Sequence, residues 1–181
     1  MSSAEKNRWP AAAAAVAPPP GGVDRQEFRR VMSRFATGVA VVTTLDAAAA
    51  PVGLTINSFS SVSLDPPLVL WSIDLRASSL EAFRNSGSFA INILPRSAEA
   101  LCRRFAERLP DRFAGMPYAS GRRGQPLLPG MLGQVCCRTW SRYPAGDHEI
   151  FVGEVEEIVA GDGDPLVFYR GRFTSLHEEL S

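Results

Sequence analysis

The pattern of apolar and polar positions begins with a short helix. Asp24 suits a helix N-cap, and helical spacing relates the apolar residues that follow it, Phe28, Val31, Met32 and Phe35. Gly38 comes shortly after them and is a typical stop signal. The sequence therefore predicts a first helix that packs on the core and ends by Gly38.

After this helix the pattern is mainly that of strands. We predict strands over Val39 to Leu45, Val52 to Phe59, Pro67 to Ile73, Phe89 to Leu94, Leu132 to Tyr143, His148 to Val159 and Leu166 to Phe173. The small residues of Asp46 to Pro51 predict a hairpin turn, and the largely apolar third strand is expected to be buried on both faces. Short helices are predicted around Leu80 to Phe83 and over Ala98 to Phe105, and a long loop over Pro110 to Pro129.

Closely spaced strands with few helices predict a mainly β fold with short helices, in the α+β class. A closed or split β-barrel fits this order better than an alternating βαβ sheet. The glycine-rich fingerprint of dinucleotide-binding Rossmann folds does not follow any predicted strand, and the phosphate-binding Gly-Lys-Ser/Thr loop is also missing. A nucleotide cofactor would therefore be held on another scaffold.

Composition sets the domain plan. The 181 residues with 45% hydrophobic content are enough for one core. Residues 1–22, rich in Ala, Pro and Gly, predict a disordered tail, with a secretory signal as the alternative. One domain is expected over residues 23–174, and a short C-terminal tail over 175–181.

Charge and cysteine content exclude several classes of function. Lys plus Arg and Asp plus Glu are both 19, so no net charge favours nucleic acid or an anionic membrane. The longest apolar run, Ala11 to Pro20, is far shorter than the ~20 residues that span a bilayer. Three cysteines without a disulfide or zinc-binding pattern predict reduced thiols in a cytoplasm, and two histidines without a ligand motif predict no metal site.

A cluster of small polar residues lies between Gly53 and Pro67. Ser, Thr and Asn side chains with their exposed backbone N–H groups can donate several hydrogen bonds to a phosphate or a heteroaromatic ring. A polar edge strand that faces water is the alternative.

Several segments decide between these two interpretations, because together they resemble the short-chain flavin reductase family. The segments are Phe35-Ala36-Thr37-Gly38-Val39, Val41-Val42-Thr43-Thr44, residues 53–67 with Leu68-Val69-Leu70, Ser78-Ser79-Leu80-Glu81-Ala82-Phe83, Phe89-Ala90-Ile91-Asn92-Ile93-Leu94, Arg104-Phe105-Ala106, Asp111-Arg112-Phe113, Gly146-Asp147-His148 with Val152-Gly153-Glu154-Val155, and Phe168-Tyr169-Arg170-Gly171. They follow the family's order and spacing from about residue 24 to 173.

The resemblance implies both a fold and an activity. The fold would be an FMN-binding split β-barrel of Greek-key type that forms a homodimer. The activity would be reduction of free FMN or FAD by NADH or NADPH, which supplies reduced flavin to a separate monooxygenase by diffusion or transient contact. Rival hypotheses are a flavin carrier or sensor without turnover, and an enzyme that keeps flavin as a prosthetic group for another acceptor.

The resemblance also implies cofactor-binding residues. Those assigned to flavin are Thr55, Asn57, Ser58, Ser60, Ser61, Ser72, Asp74, Arg76, Ser78, Ser79, Arg104, Phe105, Tyr169 and Arg170. For some of them a structural role is equally open: Ser78 as a helix cap, Phe105 as core and Arg170 as a rim charge. Trp71 departs from the family pattern, and a ring that points into the pocket would stack on the flavin or narrow the site.

His148 is the sharpest single candidate. The family's Gly-Asp-His histidine faces the nicotinamide, and Gly146-Asp147-His148 matches that motif. The resemblance therefore implies that His148 orients NAD(P)H by hydrogen bonding, with a proton relay to the flavin as a further option.

Overall fold

The computed structural model describes residues 22–174 and 176. It contains three α-helices: α1 (Arg25–Met32), α2 (Leu80–Ser86) and α3 (Glu99–Ala106). Its twelve strands are β1 (Thr37–Gly38), β2 (Ala40–Leu45), β3 (Pro51–Ile56), β4 (Ser60–Leu64), β5 (Pro67–Asp74), β6 (Ser88–Ile93), β7 (Ala119–Ser120), β8 (Pro126–Leu127), β9 (Gly133–Ala145), β10 (His148–Ala160), β11 (Val167–Tyr169) and β12 (Arg172–Thr174). The expectation of a mainly β fold with short helices is confirmed.

The main sheet has seven antiparallel strands in the order β3-β2-β6-β9-β10-β5-β4. Its edge strands, β3 and β4, are consecutive in the chain and do not pair with each other among the described strand pairings. The sheet is therefore consistent with a barrel that is split between these two strands. A smaller sheet, β1-β11-β12, lies beside it.

Two apolar clusters hold the sheet and helices together. One contains Trp71, Phe83, Phe89 and Phe151, where the Trp71 ring stacks on Phe151 at 4.9 Å between centroids. The other lies under α3 and contains Val41, Leu94, Cys102, Phe105 and Phe113. Each large aromatic ring buries about 150–250 Å² on folding, so these clusters dominate the stability of the domain.

Helix α1 begins as predicted but does not pack on the core. The carboxylate of Asp24 accepts hydrogen bonds from the backbone N–H groups of Gln26 and Glu27, which confirms the cap. The helix ends at Met32, before Gly38, and the apolar side chains of this segment are more than half exposed. The prediction of core packing was therefore wrong, because the periodicity shows that a face is apolar but not what covers it.

Strand β5 alternates between buried and more exposed positions. Val69, Trp71 and Ile73 point into the barrel, whereas Leu68, Leu70 and Ser72 are only partly buried. The prediction that this strand is buried on both faces was therefore wrong, because antiparallel sheets commonly leave one face partly open even when its residues are apolar.

The predicted strand Leu166 to Phe173 is two strands. Strands β11 and β12 form a hairpin whose two central residues, Arg170 and Gly171, have φ angles of 50° and 75°. Positive φ at both positions is typical of a type I′ turn. The prediction of one continuous strand was wrong. The β-branched and aromatic residues on both sides of the turn favour a strand, and Gly171 is the one residue that indicates the turn.

The long segment 110–129 is mostly loop, as predicted, and a buried polar network fixes its end. The amide nitrogen of Asn92 donates to the carbonyl of Val41 and to the hydroxyl of Thr43, while its oxygen accepts from the backbone N–H of Leu128. The hydroxyl of Thr43 in turn donates to the carbonyl of Pro126. The loop is therefore pinned to β2 and β6, and its outer part, 110–113, is left to border the site.

The two predicted tails lie outside the described residues, apart from Gly22 and Leu176. Within the described part, no helix is long and apolar enough to cross a bilayer.

Candidate functional site

A cleft of about 580 Å³, here called the main cleft, lies between β3, the β5–α2 connection and the segment after α3. Its volume is within the range of ~300–1,000 Å³ that is usual for small-molecule sites. The predicted site residues that line it are Thr55, Asp74, Arg76, Ser78, Ser79 and Phe105. The structure therefore brings six of the predicted residues into one concave site.

The polar groups of the cleft are not equally available to a ligand. Thr55 donates its hydroxyl to the carbonyl of Cys102, which ties β3 to α3. Ser79 is the N-cap residue of α2, and its buried side chain makes no capping bond. Ser78 is exposed beside it. The two serine hydroxyls are therefore the free donors of this wall.

Asp74 and Arg76 form a bidentate ion pair across the wall of the cleft. The guanidinium Nε and Nη2 of Arg76 lie 3.1 and 2.8 Å from the two carboxylate oxygens of Asp74. These bonds, together with the backbone N–H of Arg76, hold the pKa of the Asp74 carboxyl well below its usual range. The Arg76 side chain is thus neutralised by its neighbour and offers less charge to an anion than the sequence suggests.

Arg112 is the cleft residue that the site prediction missed. Its Nη1 donates to the carbonyl of Gly53 at 3.0 Å, and its Nε donates to the carbonyl of Glu107 at 2.9 Å. No carboxylate of the described residues forms an ion pair with it, and partial burial lowers its pKa. A half-buried cation without a counter-ion is a ready anion site.

Arg104, by contrast, supports the loop. Its Nε donates to the carbonyl of Arg112 and its Nη2 to the carbonyl of Ala114. Its guanidinium therefore holds the backbone that presents Arg112, and it is not among the residues that line the main cleft. The motif Asp111-Arg112-Phe113, noted for its family resemblance, was the signal that could have identified Arg112.

His148 is not among the residues that line the main cleft, but it lies next to Asp74, which does line it. It begins β10 and is the direct cross-strand partner of Asp74 in β5, so the two side chains share a face of the sheet. Its Nδ1 lies 2.7 Å from the carboxylate of Asp147, and this bond lowers the pKa of Asp147. Gly146, with a φ of 62°, makes the tight turn that aims both residues in this direction.

Three other predicted residues lie at the split of the barrel. Asn57, Ser58 and Ser60 line a separate hollow of about 530 Å³, together with apolar residues of the α1–β1 segment such as Met32 and Phe35. The Ser58 hydroxyl donates to the carbonyl of Ser72 and accepts from its N–H, which links β5 to the segment before β4. The Ser58 hydroxyl is therefore largely used by the backbone of Ser72, whereas the side-chain hydroxyl of Ser72 takes no part in this contact.

The remaining predicted residues lie elsewhere. Ser61 is exposed on the edge strand β4, where it pairs with Val69. Tyr169 and Arg170 lie at the tip of the β11–β12 hairpin, where the Arg170 backbone N–H donates to the carbonyl of Ser33. None of the three is among the residues that the described part of the chain contributes to the main cleft.

Trp71 does not enter the site. It is fully buried, and it packs edge-on against Phe83 and Phe89 and stacks on Phe151. The expectation that its ring narrows the pocket or stacks on a ligand does not hold, because odd positions of β5 face the barrel interior.

Comparison with known proteins agrees with this geometry. A model of the flavin reductase like domain matches residues 32–177. The chain is 43% identical to the FMN reductase (NADH) SmoA of Agrobacterium fabrum, over 85% of this chain and 87% of that protein. It is 37% identical to HsaB, the reductase subunit of a flavin-dependent monooxygenase of Rhodococcus jostii, over 87% of this chain and 80% of that protein.

A solved structure shows the same fold. The NADH:FAD oxidoreductase SgcE6 of Streptomyces globisporus, in complex with NAD and FAD fragments, superposes with a TM-score of 0.82 at 35% identity. The match covers 87% of this chain and 96% of that one. The match of the domain model and the identity to these relatives show that the chain belongs to the flavin reductase like domain family.

Proposed function

We propose that this protein is an NAD(P)H-dependent flavin reductase that reduces free FMN or FAD and supplies reduced flavin to a separate monooxygenase. The observation that carries the proposal is the main cleft, which contains a half-buried arginine without a carboxylate partner among the described residues and is lined by Asp74, the cross-strand partner of His148. Family membership, the NADH-dependent FMN reductase among its relatives and the monooxygenase reductase subunit support it.

The residues of the cleft fit a flavin mononucleotide unit. Leu54 and Phe105 give the cleft an apolar side against which a planar ring system packs. Ser78, Ser79 and Arg112 give it a polar end with free hydroxyl donors and an unneutralised guanidinium, which suits a phosphate. We therefore assign the flavin phosphate to Ser78, Ser79 and Arg112.

Several other assignments are modified by the contacts described above. Asp74 and Arg76 neutralise each other and border the ring end of the cleft, while Thr55 and Arg104 hold its walls in place. Asn57, Ser58, Ser60, Ser61 and Ser72 line or border the split of the barrel, and Tyr169 and Arg170 lie beside α1. We propose that these seven residues contact flavin only if a second subunit brings them to the cleft.

His148 is proposed to orient the nicotinamide. Because Nδ1 is held by the Asp147 carboxylate, Nε2 is the nitrogen left for a ligand. With Nδ1 protonated, Nε2 is a hydrogen-bond acceptor that suits the amide N–H₂ of a nicotinamide carboxamide. When both nucleotides are bound, hydride passes from the nicotinamide to the flavin ring, so the protein's main task is to position the two rings.

The homodimer remains part of the proposal. The apolar face of α1, formed by Phe28, Val31, Met32 and Phe35, is more than half exposed and borders the hollow at the split of the barrel. A contiguous exposed apolar surface of this kind is typical of an interface. We propose that a second copy of the chain covers this face. Light scattering of purified protein tests this proposal, with the mass of two chains as the expected result.

Two further expectations stand as proposals. The three cysteines Cys102, Cys136 and Cys137 are buried and unpaired, which supports residence in the reducing cytoplasm. The described fold supports one domain over residues 23–174.

Oxidation of NADH or NADPH by purified protein in air, with and without added FMN or FAD, tests the proposed function. We expect oxidation of the nicotinamide nucleotide only when flavin is added. Oxygen reoxidises the reduced flavin, which then serves again as substrate, so the oxidation continues. Flavin binding without oxidation of either nucleotide would instead indicate a carrier or sensor.

A further inference from the structure

The main cleft does not end at its polar end. A second cavity of about 380 Å³, here called the side lobe, adjoins it and shares five lining residues with it: Ser78, Ser79, Leu109, Pro110 and Arg112. The polar end of the main cleft is therefore a junction between two cavities. A ligand whose phosphate lies at this junction has room to continue.

Arg112 occupies the junction with spare hydrogen-bonding capacity. Its two described bonds use Nε and one hydrogen of Nη1, so both hydrogens of Nη2 and one of Nη1 are left. Both acceptors are backbone carbonyls, so the positive charge is held in place without being neutralised. The pyrophosphate of a dinucleotide carries about the same charge as a phosphomonoester but spreads it over two phosphate groups, so it suits an arginine that lies between two cavities.

The side lobe itself does not suit a second anion. The carboxylates of Asp46 and Asp111 line it, and each is fixed by bonds to nearby backbone N–H groups. Asp46 Oδ1 accepts from Ala48 and Ala50, which leaves Oδ2 as an acceptor toward the lobe. Carboxylates repel phosphate but accept hydrogen bonds from ribose hydroxyls or from an exocyclic amine.

The lining of the lobe is mostly polar, and its smaller apolar part gives a flat base a surface to pack on. Pro51 and Val52 of β3, Ala82 of α2 and Phe113 of the loop line it. The backbone of β3 comes close at Gly53, where a Cβ atom would lie 2.8 Å from the Phe105 ring. A glycine here lets β3 pack closely against the buried side chains of Phe105 and Thr43. The lobe therefore combines a limited apolar surface with several hydrogen-bond acceptors, and a nucleoside uses both.

We propose that the side lobe is an adenosine subsite, so that this enzyme prefers the dinucleotide FAD to FMN. The inference rests on the proposed function, because it places the flavin ring and first phosphate in the main cleft. It decides a question that family membership leaves open, since one relative is an FMN reductase and another is an NADH:FAD oxidoreductase.

The first test measures flavin dissociation constants by fluorescence quenching in the absence of NADH. Wild-type protein is expected to bind FAD at least about tenfold more tightly than FMN, which corresponds to ~1.4 kcal/mol. Free adenosine is expected to compete with FAD and to leave FMN binding unchanged. Equal affinity for the two flavins, or no effect of adenosine on FAD binding, would overturn the proposal without any variant.

The second test fills the lobe. Ala82→Trp places an indole in it and is expected to weaken FAD binding to the level of FMN, with FMN affinity unchanged within about twofold. Asn85→Trp is the matched control, because Asn85 is exposed on the same helix and does not line the lobe. The proposal is overturned if Ala82→Trp leaves the ratio of the two affinities unchanged.

The adenosine group of NADH is chemically the same as that of FAD, and it is the alternative occupant of the side lobe. If the lobe served NADH, Ala82→Trp would raise the KM for NADH with FMN as acceptor and leave FAD affinity unchanged, which would also overturn the proposal. A failure of the proposed function is distinguishable, because then neither flavin binds and neither supports NADH oxidation.

Discussion

His148 lies directly opposite Asp74 in the antiparallel ladder between β10 and β5. This register places the imidazole on the same face of the sheet as Asp74, which forms an ion pair with Arg76 and lines the main cleft. The backbone supports the arrangement, since the N–H of Leu75 donates to the carbonyl of Asp147. The proposed nicotinamide contact is therefore carried by regular sheet structure and not by a free loop.

Replacement of His148 separates nicotinamide recognition from flavin binding. We expect His148→Ala to lower NADH-dependent turnover by about tenfold or more, because loss of a positioning contact costs rate. Flavin affinity is expected to change by less than about twofold, since His148 is not among the residues that line the main cleft. Steady-state kinetics and flavin titration check both parts. Normal turnover in this variant would remove His148 from the mechanism.

Replacement of Arg112 tests the phosphate end. Charge-assisted hydrogen bonds are worth about 1.5–3 kcal/mol, so Arg112→Ala is expected to weaken flavin binding by about 10- to 100-fold. Arg103→Ala is the matched control, because Arg103 is an exposed arginine paired with Glu99 that does not line the main cleft. Equal flavin affinity in wild type and Arg112→Ala would place the phosphate elsewhere.

The sequence predicted one wall of this site better than the other. Thr55, Asp74, Ser78 and Ser79 come from regular segments whose spacing can be interpreted, and they do meet in the cleft. Arg112 comes from a long loop whose path depends on bonds to Gly53 and Glu107, which no local pattern reveals. The chain also gave no sign that Arg76 would be neutralised by Asp74 two residues before it.

Trp71 is expected to affect stability and not flavin binding. Removing a buried indole typically costs about 3–5 kcal/mol, so Trp71→Ala should lower the free energy of unfolding by that amount. Trp71→Phe should cost less, because Trp71 Nε1 is buried without a hydrogen-bond partner among the described residues. Denaturant unfolding measures the loss of stability in both variants. Flavin titration of Trp71→Phe measures whether flavin affinity stays unchanged. A large loss of flavin affinity in Trp71→Phe would show that the indole contacts the ligand.

The outcomes for α1 and Trp71 show the same limit of pattern analysis. The spacing of Phe28, Val31 and Met32 correctly predicted a helix with an apolar face, but the structure leaves that face exposed. Trp71 was flagged as an unusual residue, yet strand alternation directs it into the core. Periodicity reports which side chains share a face, whereas their neighbours are set by contacts between distant segments.

The thiols of Cys136 and Cys137, which are adjacent in β9, are expected to be unreactive in the native protein. Burial raises the pKa of Cys136 to about 11 and that of Cys137 to about 12, so neither forms much thiolate near pH ~8. Iodoacetamide at that pH should leave the folded chain unmodified at these positions and should label them after denaturation, as mass spectrometry would show. Rapid labelling of native Cys136 or Cys137 would contradict their described burial.

The same shifts predict a loss of stability at alkaline pH. An unfolded thiol titrates near pH ~8.5, so above that value the unfolded chain loses protons that the folded chain retains. The stabilisation is complete below the unfolded pKa and declines as pH rises towards the folded values of about 11 and about 12. Urea unfolding at several pH values should show this decline, and Cys137→Ala should show a smaller one. An identical pH dependence in the variant would mean that Cys137 does not contribute.

The most direct test of the account is an anaerobic reaction in which free flavin and NADH are both in large excess over the protein. If flavin is a substrate that leaves as product, the visible absorbance of all the oxidised flavin is lost over many turnovers per protein chain. Loss of only one equivalent per chain would show that flavin stays bound as a prosthetic group, and no loss at all would show that the protein binds flavin without reducing it.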